Sequence, residues 1–268
     1  MAKGGLWTYD ELLLALNLYY KIPFGQFHQH NPKVIDLAKL INRTPSSVAM
    51  QLSNFASLDP YHQSRGISGL RPPGKLAQEI WIDMQNNWED LIMKSEELLD
   101  LLAQPQDEPK TSYTLEEERN KAQYLQIQKE KHVPTEVERS VKVRLGQRFF
   151  RESIMANYRE RCCVCGMPIP ELLIASHIIP WKAREDLRLN PSNGLCLCVL
   201  HDKAFDRGLL SIDDDYKVMI SSLIQEHSLQ EAVKHGLTAY NEHFILLPDR
   251  FVPEKRFLQT HRNECFIW

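Results

Sequence analysis

The chain has 268 residues, of which 43% are hydrophobic and 25% are charged, and these proportions are ordinary for a globular protein. Its length allows two modest domains or one large domain. The formal net charge is −3, which excludes a generally basic nucleic-acid binder, so any contact with nucleic acid must come from a local patch. We find no secretory signal and no apolar run that approaches the ~18 residues needed to span a bilayer. The sequence therefore predicts a protein without membrane association, located in the cytoplasm.

The first hundred residues carry the signals of several helices. Thr8, Asn31 and Thr44 have side chains that typically cap helix N-termini. Each is followed by apolar residues at helical spacing. A long loop is expected over Pro60–Pro73 because it is rich in glycine and proline, and the apolar spacing that follows predicts one helix over Gly74–Leu102. These signals indicate a helical domain over residues 1–103.

The second and third predicted helices are joined by a short turn, which leaves two interpretations open. In a helix-turn-helix, Arg43 and Gln51 would be exposed and would contact DNA. The alternative is a plain helical hairpin with no role in DNA binding. Residues 104–138 are expected to form a linker followed by a charged connector helix over Thr114–Lys131, because prolines flank this sparsely apolar segment.

Three polar residues in the second half of the chain form the most informative pattern. They are His177, Asn193 and His201, in this order. We predict a strand that ends at His177, a return strand near Leu195–Val199 and a helix that begins near His201. Such an arrangement can bring a base, an orienting amide and a metal ligand together around one phosphate.

This pattern resembles the HNH endonuclease family, and the resemblance is strongest over Arg144–Ile212. It implies an α+β protein in which residues 139–268 form a nuclease domain with a ββα-metal motif. By resemblance, His177 is the general base, Asn193 orients that base and ties the loop between the strands, and His201 is a metal ligand. The family also implies that Mg²⁺ or Mn²⁺ assists the cleavage of DNA.

The metal site is expected to differ from the usual one of the family. Many members place Asp or His just before the base, where this chain has Ser176, and a hydroxyl is a weak ligand. A second ligand on the helix would fall at Phe205. Asp202 and Asp206 lie one helical turn apart and share a face, so either carboxylate could complete a set with Ser176 and His201, and Asp202 is slightly favoured.

The six cysteines lie mostly near this motif, which is unlike the disulfide framework of a secreted protein. Cys162 and Cys165 are spaced like a zinc knuckle. Cys196 and Cys198 are separated by a single residue, which is the wrong spacing for a second knuckle. The sequence therefore favours buried thiols that pack the core, and a structural Zn²⁺ held by these four cysteines is the alternative.

Basic residues flank the motif and are candidates for contacts with the phosphate backbone. Three precede it around a predicted helix over Gln147–Tyr158, and two follow the base: Arg144, Arg148, Arg151, Lys182 and Arg184. An ordinary solvated face would look the same.

The pattern as a whole favours a metal-dependent DNA endonuclease that acts in restriction or defence. Cleavage of both strands needs two active sites, so a homodimer is expected. One alternative is a helix-turn-helix regulator whose nuclease fold is a catalytically inactive scaffold. Another is an RNase or a toxin nuclease on the same fold, since the chemistry at the phosphate is shared.

Overall fold

The computed structural model describes residues 5–66, 73–103 and 136–268, with the side chains of the last range described from residue 140. The predicted connector helix over Thr114–Lys131 lies outside the described residues. None of the helices in these ranges combines the length and the apolar character needed to cross a membrane.

The N-terminal half of the described chain consists of helices. They are α1 (Tyr9–Tyr20), α2 (Pro32–Leu40), α3 (Pro45–Leu58), α4 (Pro60–Ser64), α5 (Lys75–Asn86) and α6 (Trp88–Ala103). The three predicted N-caps are confirmed, because the side chains of Thr8, Asn31 and Thr44 each accept a hydrogen bond from a backbone N–H in the first turn of α1, α2 and α3.

Two predictions for this half are corrected. The expected loop after α3 begins instead with α4, which is capped by Asp59 and has Pro60 at its first position. The single helix predicted over Gly74–Leu102 is divided at Asn87, whose φ of −132° and ψ of 45° interrupt the helical backbone. Apolar spacing alone could not show this break, because α5 and α6 both bury residues in the same core.

The expected exposure of Arg43 and Gln51 is also wrong, since each is only 6% exposed. The Arg43 guanidinium donates to the Glu11 carboxylate at 2.7 Å and to two backbone carbonyl oxygens of the N-terminal segment. Arg43 is thus held within the protein, and Gln51 is buried on α3. The pair α2 and α3 is a helical hairpin of the core, and a helix-turn-helix is not confirmed.

The C-terminal half combines helices with two small sheets, so that the protein is α+β. Its elements are α7 (Glu136–Asn157), β1 (Leu173–His177), β2 (Gly194–Cys198), α8 (Val199–Asp206), β3 (Leu210–Ile212), β4 (Val218–Ile220), α9 (Ser222–Gln225), α10 (Glu231–Gly236) and α11 (Lys255–Glu264). Helix α7 begins earlier than the predicted Gln147–Tyr158. The predicted hairpin and helix of the HNH-like motif are confirmed as β1, β2 and α8.

The register of the first sheet fixes where its side chains lie. Strands β1 and β2 are antiparallel, with Leu173 opposite Cys198 and His177 opposite Gly194. Gly194 packs so closely against α7 that a Cβ at this position would lie 2.4 Å from the Ile154 side chain and 2.7 Å from Phe150. The absence of a side chain at Gly194 therefore lets the hairpin lie directly on α7.

The two halves contact each other through α6 and α7 and through buried polar groups. Phe149 and Leu189 of the C-terminal half belong to the hydrophobic core of the N-terminal helices. The buried Arg250 donates to the carbonyl oxygens of Tyr19 at 2.9 Å and Ile22 at 3.1 Å. These contacts connect the helical layer to the sheets that carry the predicted site.

A buried histidine on α11 makes the stability of the fold depend on pH. His261 is 4% exposed, and its ring stacks on Phe205 with centroids 3.7 Å apart. Its Nε2 donates to the Phe205 carbonyl oxygen and its Nδ1 lies 2.9 Å from the Ser211 hydroxyl. Burial is the main cause that lowers the pKa of His261 to about 4 from the usual 6.5.

The unfolded chain therefore takes up a proton at this position before the folded chain does. We expect the free energy of unfolding to fall by about 2 kcal/mol from this group as the pH drops from about 7 to about 5. Urea denaturation at both pH values checks this, with His261→Gln as the variant that cannot titrate. An equal loss of stability in the variant would contradict the assignment to His261.

Candidate active site and metal centre

His177 lies at the end of β1 in a geometry that suits a base. Its ring stacks on Phe150, with centroids 3.7 Å apart and planes 12° from parallel, and meets the edge of Trp181. Its Nε2 lies 3.0 Å from the carbonyl oxygen of Arg188. A carbonyl oxygen only accepts, so Nε2 carries the hydrogen and Nδ1 is left with a free lone pair. Burial lowers the pKa of His177, which keeps the ring neutral near pH 7.

Asn193 ties together the loop between β1 and β2. It is 1% exposed, and its Oδ1 accepts from the Ile179 N–H at 2.8 Å. Its Nδ2 donates to the carbonyl oxygens of Ile179 at 3.1 Å and Leu187 at 3.3 Å. The same loop provides the Arg188 carbonyl that holds His177. Asn193 thus holds the loop whose Arg188 carbonyl accepts the hydrogen bond from His177.

Replacement of Asn193 by alanine is expected to lower the free energy of unfolding by about 3 kcal/mol, because it leaves buried backbone groups without partners. Urea denaturation measures the change. The matched control is Asn86→Ala, which makes the same replacement at an exposed position at the end of α5. Similar small losses in both variants would show that the side-chain bonds of Asn193 contribute little.

Two of the predicted oxygen ligands interact with each other. Ser176 is buried on β1, and its hydroxyl lies near enough to the Asp202 carboxylate on α8 to affect the pKa of that carboxylate. Burial raises the pKa of Asp202, the Ser176 bond opposes this shift, and the negative charge of Asp206 adds to it. Mg²⁺ typically takes one or two carboxylates and keeps several waters, so this donor set fits such an ion.

His201 does not belong to this oxygen group, which corrects the prediction. It is 2% exposed, its Nδ1 lies 3.2 Å from the Cys198 sulfur, and its Nε2 lies 3.0 Å from the Gly236 carbonyl oxygen. Consecutive residues of a helix point about 100° apart. Because Asp202 faces Ser176, His201 is turned away towards the sulfur atoms. The strand register also puts His177 and Cys198 at opposite ends of the hairpin.

His201 is instead the fourth member of a compact group of metal-binding side chains. The ligand atoms of Cys162, Cys165, Cys198 and His201 all lie within 4.8 Å of one another. The sulfur atoms of Cys165 and Cys198 are 3.9 Å apart. In a tetrahedral zinc site with Zn–S bonds of about 2.3 Å, ligand atoms are about 3.8 Å apart. The arrangement therefore fits Zn²⁺, and His201 Nε2 makes the backbone bond typical of metal-bound histidines.

The alternative with a structural zinc counted Cys196 among its four ligands, and the structure places His201 in the group instead of Cys196. The Cys196 thiol lies 3.7 Å from the Met155 sulfur on α7, where it packs in the core. The sequence does contain the missing signal. Cys198 and His201 are separated by two residues, the same spacing as Cys162 and Cys165. The two were not paired from the sequence because His201 was assigned to the catalytic metal.

The side chains of the group shift one another's pKa values. Hydrogen bonds from Cys162 and Cys165 hold the pKa of the Cys198 thiol far below its usual range. Burial opposes protonation of His201, but its bonds to the Cys162 and Cys198 sulfurs prevail and raise its pKa to about 9. Without a metal, a Cys198 thiolate and a protonated His201 therefore balance each other's charge, and a bound metal ion would displace the protons of its ligands.

The predicted phosphate contacts fall into two sets. Arg148 and Arg184 are engaged by carboxylates, with Arg148 at 2.8 Å from Glu96 and Arg184 at 2.6 Å from Asp186. The other three are exposed and form no ion pair with the side chains that the structure describes: Arg144, Arg151 and Lys182. These three remain candidates for contact with nucleic acid.

Comparison with known proteins identifies the segment that carries the site. Residues 162–213 match the model of the HNH endonuclease family, and they include β1, β2 and α8. The chain thus carries an HNH endonuclease domain, and the predicted resemblance is confirmed over this segment. No curated protein matches the chain.

Among solved structures, the chain is similar to a modification-dependent TagI restriction endonuclease. The sequence identity is 25% and the TM-score is 0.29, over 42% of this chain and 36% of that one. The matched part is little more than a third of that protein.

Proposed function

We propose that this protein is a metal-dependent endonuclease that hydrolyses phosphodiester bonds of DNA. The observation that carries the proposal is the neutral His177, whose Nε2 bond to the Arg188 carbonyl leaves Nδ1 free, in the segment that also contains Ser176 and Asp202 and that matches the HNH family. A base, an oxygen-rich cation site and a family match in one place favour hydrolysis of a phosphodiester.

The residues of the site then have distinct tasks. His177 Nδ1 accepts the proton of the attacking water, and Asn193 keeps the loop that orients the ring. Asp202 and Ser176 hold Mg²⁺ or Mn²⁺, with Asp206 as a more exposed carboxylate nearby. When bound, this cation stabilises negative charge on the phosphate and on the leaving oxygen.

The cysteine and histidine group would hold a structural Zn²⁺. Its four protein ligands leave no open position, as is usual for structural zinc. Cys162 and Cys165 follow α7, whereas Cys198 and His201 lie at the start of α8. Zinc at this point would join the two segments that enclose the hairpin, and so it would fix the strand that carries His177.

The biological setting follows from the same proposal. Cleavage of both strands requires two active sites, which a homodimer supplies. Thiolate ligands need a reducing compartment, which favours the cytoplasm. Restriction or defence is the role that we propose for this DNA endonuclease. The alternative of a helix-turn-helix regulator has lost its main support, because Arg43 and Gln51 are buried.

End-labelled duplex DNA and duplex RNA of the same sequence test the choice of substrate. Each is incubated with the protein in Mg²⁺ and in Mn²⁺, and the products are resolved by length. We expect internal cuts in the DNA with the RNA left intact. Cleavage confined to RNA would replace the proposed activity by an RNase activity.

A further inference from the structure

A cleft with a volume of about 690 Å³ lies between the N-terminal helices and α7. One wall is the segment between α1 and α2, including Ile22 and Phe24, and the opposite wall is α7, including Met155 and Ala156. His177, Ser176 and Asp202 do not line it. Clefts of about 300–1,000 Å³ between structural layers are common binding sites for small ligands and cofactors.

The lining of this cleft has an excess of positive charge. The basic residues are Lys21, Lys33, Arg148, Arg151 and Arg159, and the acidic ones are Glu152 and Glu160. Three of the basic residues are held in ion pairs with carboxylates: Lys21, Arg148 and Arg159.

Lys33 and Arg151 are the basic residues of the lining that contact only backbone oxygens among the described residues. Lys33 Nζ lies 3.3 Å from the Lys21 carbonyl oxygen, and Arg151 Nη1 lies 2.9 Å from that of Leu173. Lys33 belongs to α2 and Arg151 to α7, so uncompensated charge stands on both walls. An anion in the cleft would therefore find a positive charge on either wall.

The walls of the cleft also contribute apolar side chains, one of them aromatic. Ile22, Met155 and Ala156 are buried, and Phe24 lines the cleft with its ring packed against the imidazole of His62 at 4.0 Å between centroids. Aromatic side chains bind nucleobases by stacking, irrespective of the base. A cleft lined by cationic side chains and an aromatic ring therefore matches a ligand with a phosphate and a flat base.

We propose that this cleft binds one nucleotide unit, with its phosphate between Lys33 and Arg151 and its base against Phe24. The same chemistry is offered by a nucleotide within a DNA strand and by a free nucleotide. The expectation that the nucleotide belongs to a DNA strand rests on the proposed function. The binding of a nucleotide unit in the cleft does not. The cleft would then contact the substrate away from the phosphate that is cut.

Binding is measured in the His177→Ala protein, so that the result does not depend on cleavage. The probes are a fluorescent single-stranded oligonucleotide, the matching duplex and a deoxynucleoside monophosphate, with inorganic phosphate as competitor. Lys33→Glu reverses the charge, and Gln26→Trp fills the cleft from an exposed position of its lining. Lys75→Glu is the control, since it makes the same charge change at an exposed residue that does not line the cleft.

We expect both cleft variants to weaken binding about tenfold, because Gln26→Trp blocks the place of a stacked base and Lys33→Glu repels a phosphate, while the control stays close to the parent. A loss for the oligonucleotides identifies a strand as the source, and a loss for the monophosphate alone identifies a free nucleotide. Unchanged affinity for every probe in both variants would overturn the proposal. Inorganic phosphate that competes as well as the monophosphate would also overturn it, because the base would then contribute nothing.

The nuclease proposal and the nucleotide site can fail independently, and different measurements show which of them is wrong. Cleavage is measured separately in the protein with its native His177. Cleft-dependent binding without any cleavage would refute the nuclease activity and leave the nucleotide site intact.

Discussion

Replacement of His177 by alanine is expected to lower the rate of DNA cleavage at least about 100-fold, the usual contribution of a positioned general base. The imidazole is neutral because burial lowers its pKa, and its Nε2 bond to the Arg188 carbonyl leaves Nδ1 free to take a proton. Alanine removes that acceptor but leaves Ser176 and Asp202 in place. The rate should be measured in single turnover with saturating protein, so that a change in DNA affinity does not affect it.

Two controls separate the chemistry from the packing. His235→Ala makes the same change at an exposed histidine that pairs with Glu231 on α10, and it should cleave like the parent. His177→Gln keeps most of the volume against Phe150 but provides no base of comparable strength, so it should be as inactive as the alanine variant. Cleavage by His177→Gln within a factor of a few of the parent would remove His177 from the role of base.

Loss of a ligand from the cysteine and histidine group is expected to have the largest effect on stability. Structural zinc sites contribute about 10–16 kcal/mol of apparent binding free energy in small zinc-finger peptides, so Cys198→Ser should lose the metal and destabilise the domain by several kcal/mol. The purified parent protein should contain one zinc ion per chain. Elemental analysis and thermal unfolding report the two quantities.

The paired variants Cys196→Ser and Cys198→Ser decide which cysteine of the strand binds metal. Both residues are buried, but Cys198 lies among the other ligands and Cys196 contacts Met155. Cys196→Ser should therefore retain zinc with a modest loss of stability, and Cys265→Ser, which changes an exposed thiol, should retain both. Loss of zinc from Cys196→Ser with retention in Cys198→Ser would contradict the geometry of the site.

The sequence predicted those features that depend on local signals. The N-caps of α1, α2 and α3 are local, because each cap bonds to an N–H two or three residues away. The β1–β2 hairpin and α8 were also predicted, since their apolar pattern and polar residues lie within one short segment. The order of His177, Asn193 and His201 pointed to the family that matches residues 162–213.

The errors arose where a partner lies far away in the sequence. Arg43 was expected to face solvent in the helix-turn-helix interpretation, but it pairs with Glu11 on the neighbouring helix α1. Arg148 was expected to contact phosphate, but it pairs with Glu96 on α6. No periodicity within one helix reveals which neighbouring element will provide a carboxylate.

The assignment of His201 failed for a different reason. Its place in the motif indicated a catalytic metal ligand, and its two-residue separation from Cys198 indicated a zinc ligand. The sequence contains both signals, and the orientation of α8 decides between them. Because β2 runs directly into α8, the first turn of the helix lies next to Cys162 and turns His201 towards the sulfur atoms.

The most direct test of the proposed nuclease is incubation of the parent protein with supercoiled plasmid in Mg²⁺ or Mn²⁺, beside the same reaction with EDTA. We expect nicked and then linear plasmid that appears only with the added cation. Cleavage that is equally fast in EDTA would contradict the role of Asp202 and Ser176 as a cation site. Plasmid that stays supercoiled under every cation condition, although the protein binds it, would contradict the proposed activity on unmodified DNA.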